Sequence, residues 1–140
     1  MYKSTTNLTV RYAETDQMGI VHHSNYYVYF EAAREDFIAG AGISYKYMED
    51  HDIMMPIVET QCRYAEGAKY PDKLIIETMI EELSPAKVAL QYNVIREADG
   101  KVLSRGKTVQ AFVDRNSFRI INLKKKHPDI WAKLESLQDS

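Results

Sequence analysis

Apolar residues recur along the chain with two different periods. Leu8, Val10 and Tyr12 alternate with Thr9 and Arg11, the period of two that predicts a first strand with one buried face. The polar stretch 13–19 then reads as a loop. From residue 24 to 40 the period lengthens: Tyr26, Phe30, Ala33 and Phe37 recur every three or four residues, while Glu31, Arg34 and Glu35 fall off that stripe. A long amphipathic helix is predicted here. Ser24 is its expected N-cap, since a hydroxyl accepts from an unpaired first-turn amide, and Gly40 or Gly42 suits a left-handed terminus. A short helix is expected over 45–50.

Beyond Pro56 the period returns to two, predicting strands over 57–64, 74–82, 87–96 and 102–113. Val58, Thr60, Cys62 and Tyr64 form one alternating face, and Val88, Leu90, Tyr92 and Val94 another. Asp99-Gly100 favours a tight hairpin between the last two strands, because such turns need positive φ angles. Near the end, Pro128 suits a first helical turn, and Ile130, Leu134 and Leu137 supply a helical stripe. The preceding Lys124-Lys125-Lys126 run reads as a solvated connector. No internal repeat or low-complexity segment interrupts this order. Parallel pairing would need helical crossovers that the later strands lack, so an antiparallel sheet wrapped on the long helix is the α+β architecture that fits.

Composition narrows the classes of function. A chain of 140 residues matches one domain, spanning 1–140, and 45% hydrophobic against 27% charged residues is ordinary for a folded protein. With 18 Lys and Arg against 20 Asp and Glu, no field of one sign draws the whole surface to nucleic acid, and none is expected as a partner. The lone Cys62 excludes an internal disulfide and reads as a small core residue. The N-terminus has no apolar run of signal-peptide type, and no membrane-spanning stretch occurs, so a cytoplasmic location without membrane insertion is expected.

Chemistry concentrates in Tyr12-Ala13-Glu14-Thr15-Asp16-Gln17-Met18-Gly19-Ile20-Val21-His22-His23-Ser24-Asn25-Tyr26. A carboxylate just ahead of a helix start lies close to amides that have no intrahelical acceptor and carry the positive end of the helix dipole. Such amides suit an oxyanion, and Gly19 permits a turn and a close substrate approach. Asp is also common in loops simply because its side chain bonds the backbone, which is the structural alternative for Asp16. The stretch resembles the signature of the hydroxybenzoyl-CoA thioesterase-like branch of the hotdog superfamily. Pro56-Ile57-Val58-Glu59, Cys62-Arg63-Tyr64 and Tyr70-Pro71-Asp72-Lys73-Leu74 are similar to that family's second and third strands.

The resemblance implies a hotdog fold, with a five-stranded antiparallel sheet around the central helix and a C-terminal helix added. It also implies hydrolysis of an acyl-CoA thioester, or of one on acyl carrier protein. Asp16 would be the nucleophile or the general base, the His23 amide would polarise the carbonyl, and the His23 ring would position groups or transfer a proton. Gly19, Val21, Asn25 and Tyr26 are expected to line the substrate site, with Glu59 either structural or contacting substrate from a neighbouring subunit. Arg63 and Lys87 are candidates for coenzyme A phosphates, which need cationic or amide donors. His22 is expected as a wall residue. Family members frequently carry Pro where this chain has Gly67, a departure that bears on the shape of that loop.

Adjacent His22 and His23 lack the spaced partners of a zinc site, so neither a metal nor another cofactor is expected. Two competing functions stay open at this point: a hotdog dehydratase or hydratase, which would need a His paired with an acid, and a non-catalytic acyl-CoA sensor. An edge strand with unpaired backbone groups also predicts a homo-oligomer, a dimer or a homotetramer built as a dimer of dimers.

Overall fold

The computed structural model describes residues 1–138. The elements run β1 (Ser4–Thr9), α1 (His23–Gly40), α2 (Tyr45–Asp50), β2 (Ile53–Met54), β3 (Ile57–Tyr64), β4 (Lys73–Ser84), β5 (Lys87–Arg96), β6 (Val102–Ala111), β7 (Val113–Asp114), α3 (Leu123–Lys126) and α4 (Pro128–Ser136). β1, β4, β5, β6 and β3 form, in that order, a five-stranded sheet in which every neighbouring pair is antiparallel. α1 packs across it against β1 and β4. This is the expected hotdog arrangement.

Bulges at Ile57/Glu59, Ile80/Glu82 and Val94/Ile95 shift the register of three strand pairs. Each adds local twist, which lets a sheet curl around a helix. The helix comes close because Gly106 has no side chain: a Cβ there would overlap the ring of Phe30. Phe30 instead stacks on Tyr92, with centroids 4.4 Å apart and planes 14° from parallel. Tyr26, Phe30, Ala33 and Phe37 are all essentially buried, as their spacing predicts. Full burial of such a ring is worth about 2–3 kcal/mol.

Several local expectations change. The first strand ends at Thr9, and its inward positions are Ser4, Thr6 and Leu8, followed by Val10. Ser4 and Thr6 carry no apolar signal, so the pattern displaced the strand toward Tyr12, which is in fact exposed and meets Tyr70 edge-on. Arg34, off the apolar stripe, is buried, and its guanidinium donates to the Tyr92 hydroxyl at 3.4 Å. Tyr92 and Thr108 hydroxyls lie 2.7 Å apart, and Gln110 donates to Thr108, so polar partners accompany Arg34 inward. The predicted last strand breaks at Phe112, after which β7 leaves the main sheet to pair with β2. The Asp99-Gly100 connection spans 97–101 with Gly100 at φ +71°, longer than a tight turn. Lys124, Lys125 and Lys126 are exposed but helical, capped by the Asn122 side chain accepting from the Lys125 amide.

Candidate active site

A tight loop ahead of α1 carries the candidate carboxylate. Thr15 and Val21 bridge in antiparallel fashion, and the Asp16 amide donates to the Ile20 carbonyl at 2.8 Å. Gly19 closes the turn at φ +82°, in the left-handed region open to glycine, and donates to the Asp16 carbonyl. Oδ1 of Asp16 accepts from the Met18 amide at 2.8 Å and the Ile20 amide at 3.4 Å. Oδ2 has no partner among the described residues. The structural alternative is therefore half realised: one oxygen holds the turn and the other stays available.

The helix start differs from expectation. α1 begins at His23, and its N-cap is His22, whose Nδ1 accepts from the Ser24 amide at 3.2 Å and lies 2.8 Å from the Ser24 hydroxyl. An imidazole nitrogen thus replaces the predicted Ser24 cap, two residues earlier. The His22 carbonyl takes the Asn25 amide. Of the first three helical amides, the His23 N–H is left without an acceptor among the described residues. The His22 and His23 rings stack at 4.3 Å.

Asp16, Val21 and His23 line one side of a cleft of about 280 Å³, and residues 64–67 line the other. Ile20 also lines it, and its backbone bridges to Lys69 beyond the 64–67 segment. A Cβ on Gly67 would stand 2.6 Å from an Ile20 methyl, so the glycine that departs from the family pattern allows the loops to touch. On the rim, Glu66 pairs with Lys101 at 2.8 Å and Arg96 at 2.7 Å. Hydrogen bonds from Lys101 and Arg96 hold its carboxyl below the ordinary range. Of the acidic side chains lining the cleft, Asp16 is therefore the one with an uncommitted oxygen.

Residues 10–134 match the model of the family described as the thioesterase-like superfamily. The chain belongs to that superfamily. It is 34% identical over 129 residues to YneP of Bacillus subtilis, a protein provisionally named an acyl-CoA thioesterase, covering 92% of this chain and 93% of the relative. It is 25% identical over 118 residues to the acyl-CoA thioesterase YbgC of Haemophilus influenzae, covering 84% and 85%. The solved DHNA-CoA thioesterase of Staphylococcus aureus superposes with a TM-score of 0.93 at 32% identity, over 99% of this chain and 93% of that one.

In this thioesterase-like chain the other predicted site residues scatter. Tyr26 does not line the cleft: it is 1% exposed, packs edge-on against Tyr29 and Tyr64, and its hydroxyl accepts from the Ala68 amide at 3.4 Å. Asn25 spends its side-chain N–H on the Glu14 carbonyl at 2.9 Å, and so braces the loop. Glu59 and Lys87 share a recess of about 70 Å³ on the sheet, and no residue lining it also lines the Asp16 cleft. Arg63 lies in a neighbouring cleft. Cys62 is half-buried against the core, where burial pushes its thiol up. Among the described residues, no group of three or more His, Cys, Asp and Glu is arranged for a metal ion, and no helix is long and apolar enough to cross a membrane.

Glu14 is the residue that sequence reasoning missed. It is buried, and Oε1 accepts from the Arg11 amide at 2.8 Å and the Tyr29 hydroxyl at 2.9 Å. Oε2 pairs with the Arg11 guanidinium at 3.2 Å, and the Glu14 carbonyl accepts from the His22 amide and the Asn25 side chain. One residue thereby ties the Asp16 loop to the start of α1. Burial alone would raise its carboxyl, but the Arg11 amide, the Tyr29 hydroxyl and the guanidinium together outweigh that and hold it low. Burial, followed by this bond to Glu14, raises the Tyr29 hydroxyl well above its ordinary range. The Arg11-x-x-Glu14 spacing was the available signal.

Proposed function

We propose that this protein hydrolyses acyl-CoA thioesters in the reducing cytoplasm, with Asp16 as the reacting carboxylate and the His23 N–H as the oxyanion donor. The observation that carries this reading is the shared cleft: Asp16, whose Oδ2 is uncommitted, and His23, whose N–H has no acceptor among the described residues, both line it. In one route Oδ2 attacks the thioester carbonyl carbon, the negative charge passes to the carbonyl oxygen beside the His23 amide, and the C–S bond breaks. Coenzyme A leaves as thiolate, and water then cleaves the mixed anhydride. In the other route Asp16 takes a proton from water, the hydroxide attacks, and the same thiolate departs and is protonated. The names of the relatives support coenzyme A as the carrier. The dehydratase reading is less well supported, because no His–acid hydrogen bond is found around the cleft among the described residues.

The active unit in this reading is a dimer or a dimer of dimers. β3 is an edge strand, and Ile57, Val58 and Tyr64 are 45%, 61% and 46% exposed along it. Antiparallel pairing of two β3 edges satisfies the open backbone groups and carries the 59–63 region of one copy toward the cleft of the other. The test is release of free thiol from a panel of alkyl- and aryl-CoA thioesters. Turnover of at least one class is expected; tight binding of the panel without thiol release would make the protein a sensor instead.

A further inference from the structure

Histidine is an uncommon residue for the place His22 holds. A helix cap is ordinarily Ser, Thr, Asp or Asn, whose side-chain oxygen accepts from a first-turn amide. In α1 the acceptor is Nδ1 of His22, 3.2 Å from the Ser24 amide and 2.8 Å from the Ser24 hydroxyl. An amide can only donate, so Nδ1 carries no proton in this arrangement, and the ring is neutral with its proton on Nε2. Three further contacts fix the residue. Its amide donates to the Glu14 carbonyl at 2.9 Å, its carbonyl accepts from the Asn25 amide at 2.9 Å, and its ring stacks on that of His23. His22 thereby occupies the second and third amides of the helix and leaves the first, the N–H of His23, open. His22 does not itself line the Asp16 cleft, whereas His23 does.

We propose that His22 is a positioning residue for thioester hydrolysis: as an uncharged cap it aims the His23 N–H without setting an anion beside the developing oxyanion. The inference rests on the thioesterase reading above and adds how the oxyanion donor of that reading is held. A helix start attracts negative charge, which is one reason Asp makes a good cap. In this chain the thioester oxygen gains its negative charge next to the following residue, His23, so a carboxylate at position 22 would oppose the transition state. Capping and catalysis therefore make different demands on this position. A neutral imidazole meets both, because it supplies the acceptor alone. With the Ser24 amide tied back to the cap, a single helix amide faces the cleft. Without the acceptor the first turn is free to shift, and a displacement of about 1 Å is enough to slow a positioned reaction substantially.

The experiment compares wild type with His22→Ala, His22→Asn and His22→Asp, reading kcat and KM by thiol release from the preferred acyl-CoA, and Tm by thermal melting. His22→Ala removes the acceptor. Its kcat should fall roughly tenfold with KM nearly unchanged, a part of the loss that follows removal of a whole oxyanion donor, and its Tm should fall by about 2–6 °C. His22→Asn restores an uncharged acceptor and should recover both. His22→Asp should melt at or above the wild-type temperature, yet turn over about threefold to tenfold more slowly than His22→Asn. A role in stability alone requires kcat to follow Tm through the series. His22→Asp as fast as His22→Asn, or His22→Ala as fast as wild type, would overturn the positioning role. Nitrogen-15 NMR of the His22 ring gives a readout without turnover: the neutral ring should carry its proton on Nε2, and a proton on Nδ1 instead would overturn the cap. A wild-type protein that shows the expected ring but releases no thiol would refute the thioesterase reading, and the role in turnover with it, while the cap stood.

Discussion

Replacing Glu14 isolates the brace between the Asp16 loop and α1. Glu14→Ala removes the acceptor of two charge-assisted hydrogen bonds, a part-buried one from the Arg11 amide and a buried one from the Tyr29 hydroxyl. Each is worth about 1.5–3 kcal/mol. The Arg11 guanidinium is 78% exposed, so its ion pair is screened and adds at most about 1 kcal/mol. Allowing for water entering the vacated space, the variant should lose about 2–4 kcal/mol, or about 10 °C in Tm for a chain of this size. Glu14→Gln keeps one acceptor oxygen and should lose about half as much. The dependence on pH separates a carboxylate effect from a packing effect. Because the fold depresses this carboxyl below its ordinary 4.5, its stabilisation is complete above that value and disappears as pH falls through the folded value. Thermal melts from neutral pH into the acid range should therefore show the gap between wild type and Glu14→Gln wide at neutrality and closing below the ordinary carboxyl value. A gap that does not change with pH, or an alanine variant that melts with wild type, would refute the brace.

Gly106→Ala should cost about 1–3 kcal/mol by forcing Phe30 off the sheet, and Phe30→Leu in the same chain should recover part of that loss in chemical denaturation. Failure of the second substitution to help would put the strain elsewhere. Exhaustive chelation should leave thiol release intact, since the carboxylate route needs no Lewis acid; activity lost on chelation and restored by one divalent ion would reverse that expectation. Light scattering at assay concentration should give two or four times 16.2 kDa, and a fully active monomer would contradict the β3 pairing.

The parts of the fold legible in the sequence are those whose period is written in apolar residues. The stripe Tyr26, Phe30, Ala33 and Phe37 located α1, and the alternations over 57–64 and 87–96 located β3 and β5 to the residue. β1 was displaced because Ser4 and Thr6 fill inward positions with polar atoms, which no hydropathy pattern reports. The break at Phe112 lies inside the apolar run 111–113, where a strand that changes sheets looks like one that does not. The place of Asp16 on a loop just ahead of a helix was legible. Glu14 was not, because its decisive partner, Tyr29, stands 15 residues away across a turn and a cap. Tyr26 and Asn25 sit in the same motif as Asp16, yet one is core and the other a brace; adjacency in a motif does not say which way a side chain faces.

Asp16→Asn tests the account most directly, because it keeps the shape of the side chain and its bonds to the Met18 and Ile20 amides while removing the charge on Oδ2. Steady-state thiol release from the preferred acyl-CoA should fall by at least about a hundredfold, with the thermal midpoint close to wild type. A folded Asp16→Asn protein that turns over at near the wild-type rate would contradict the assignment of Asp16 as the reacting carboxylate.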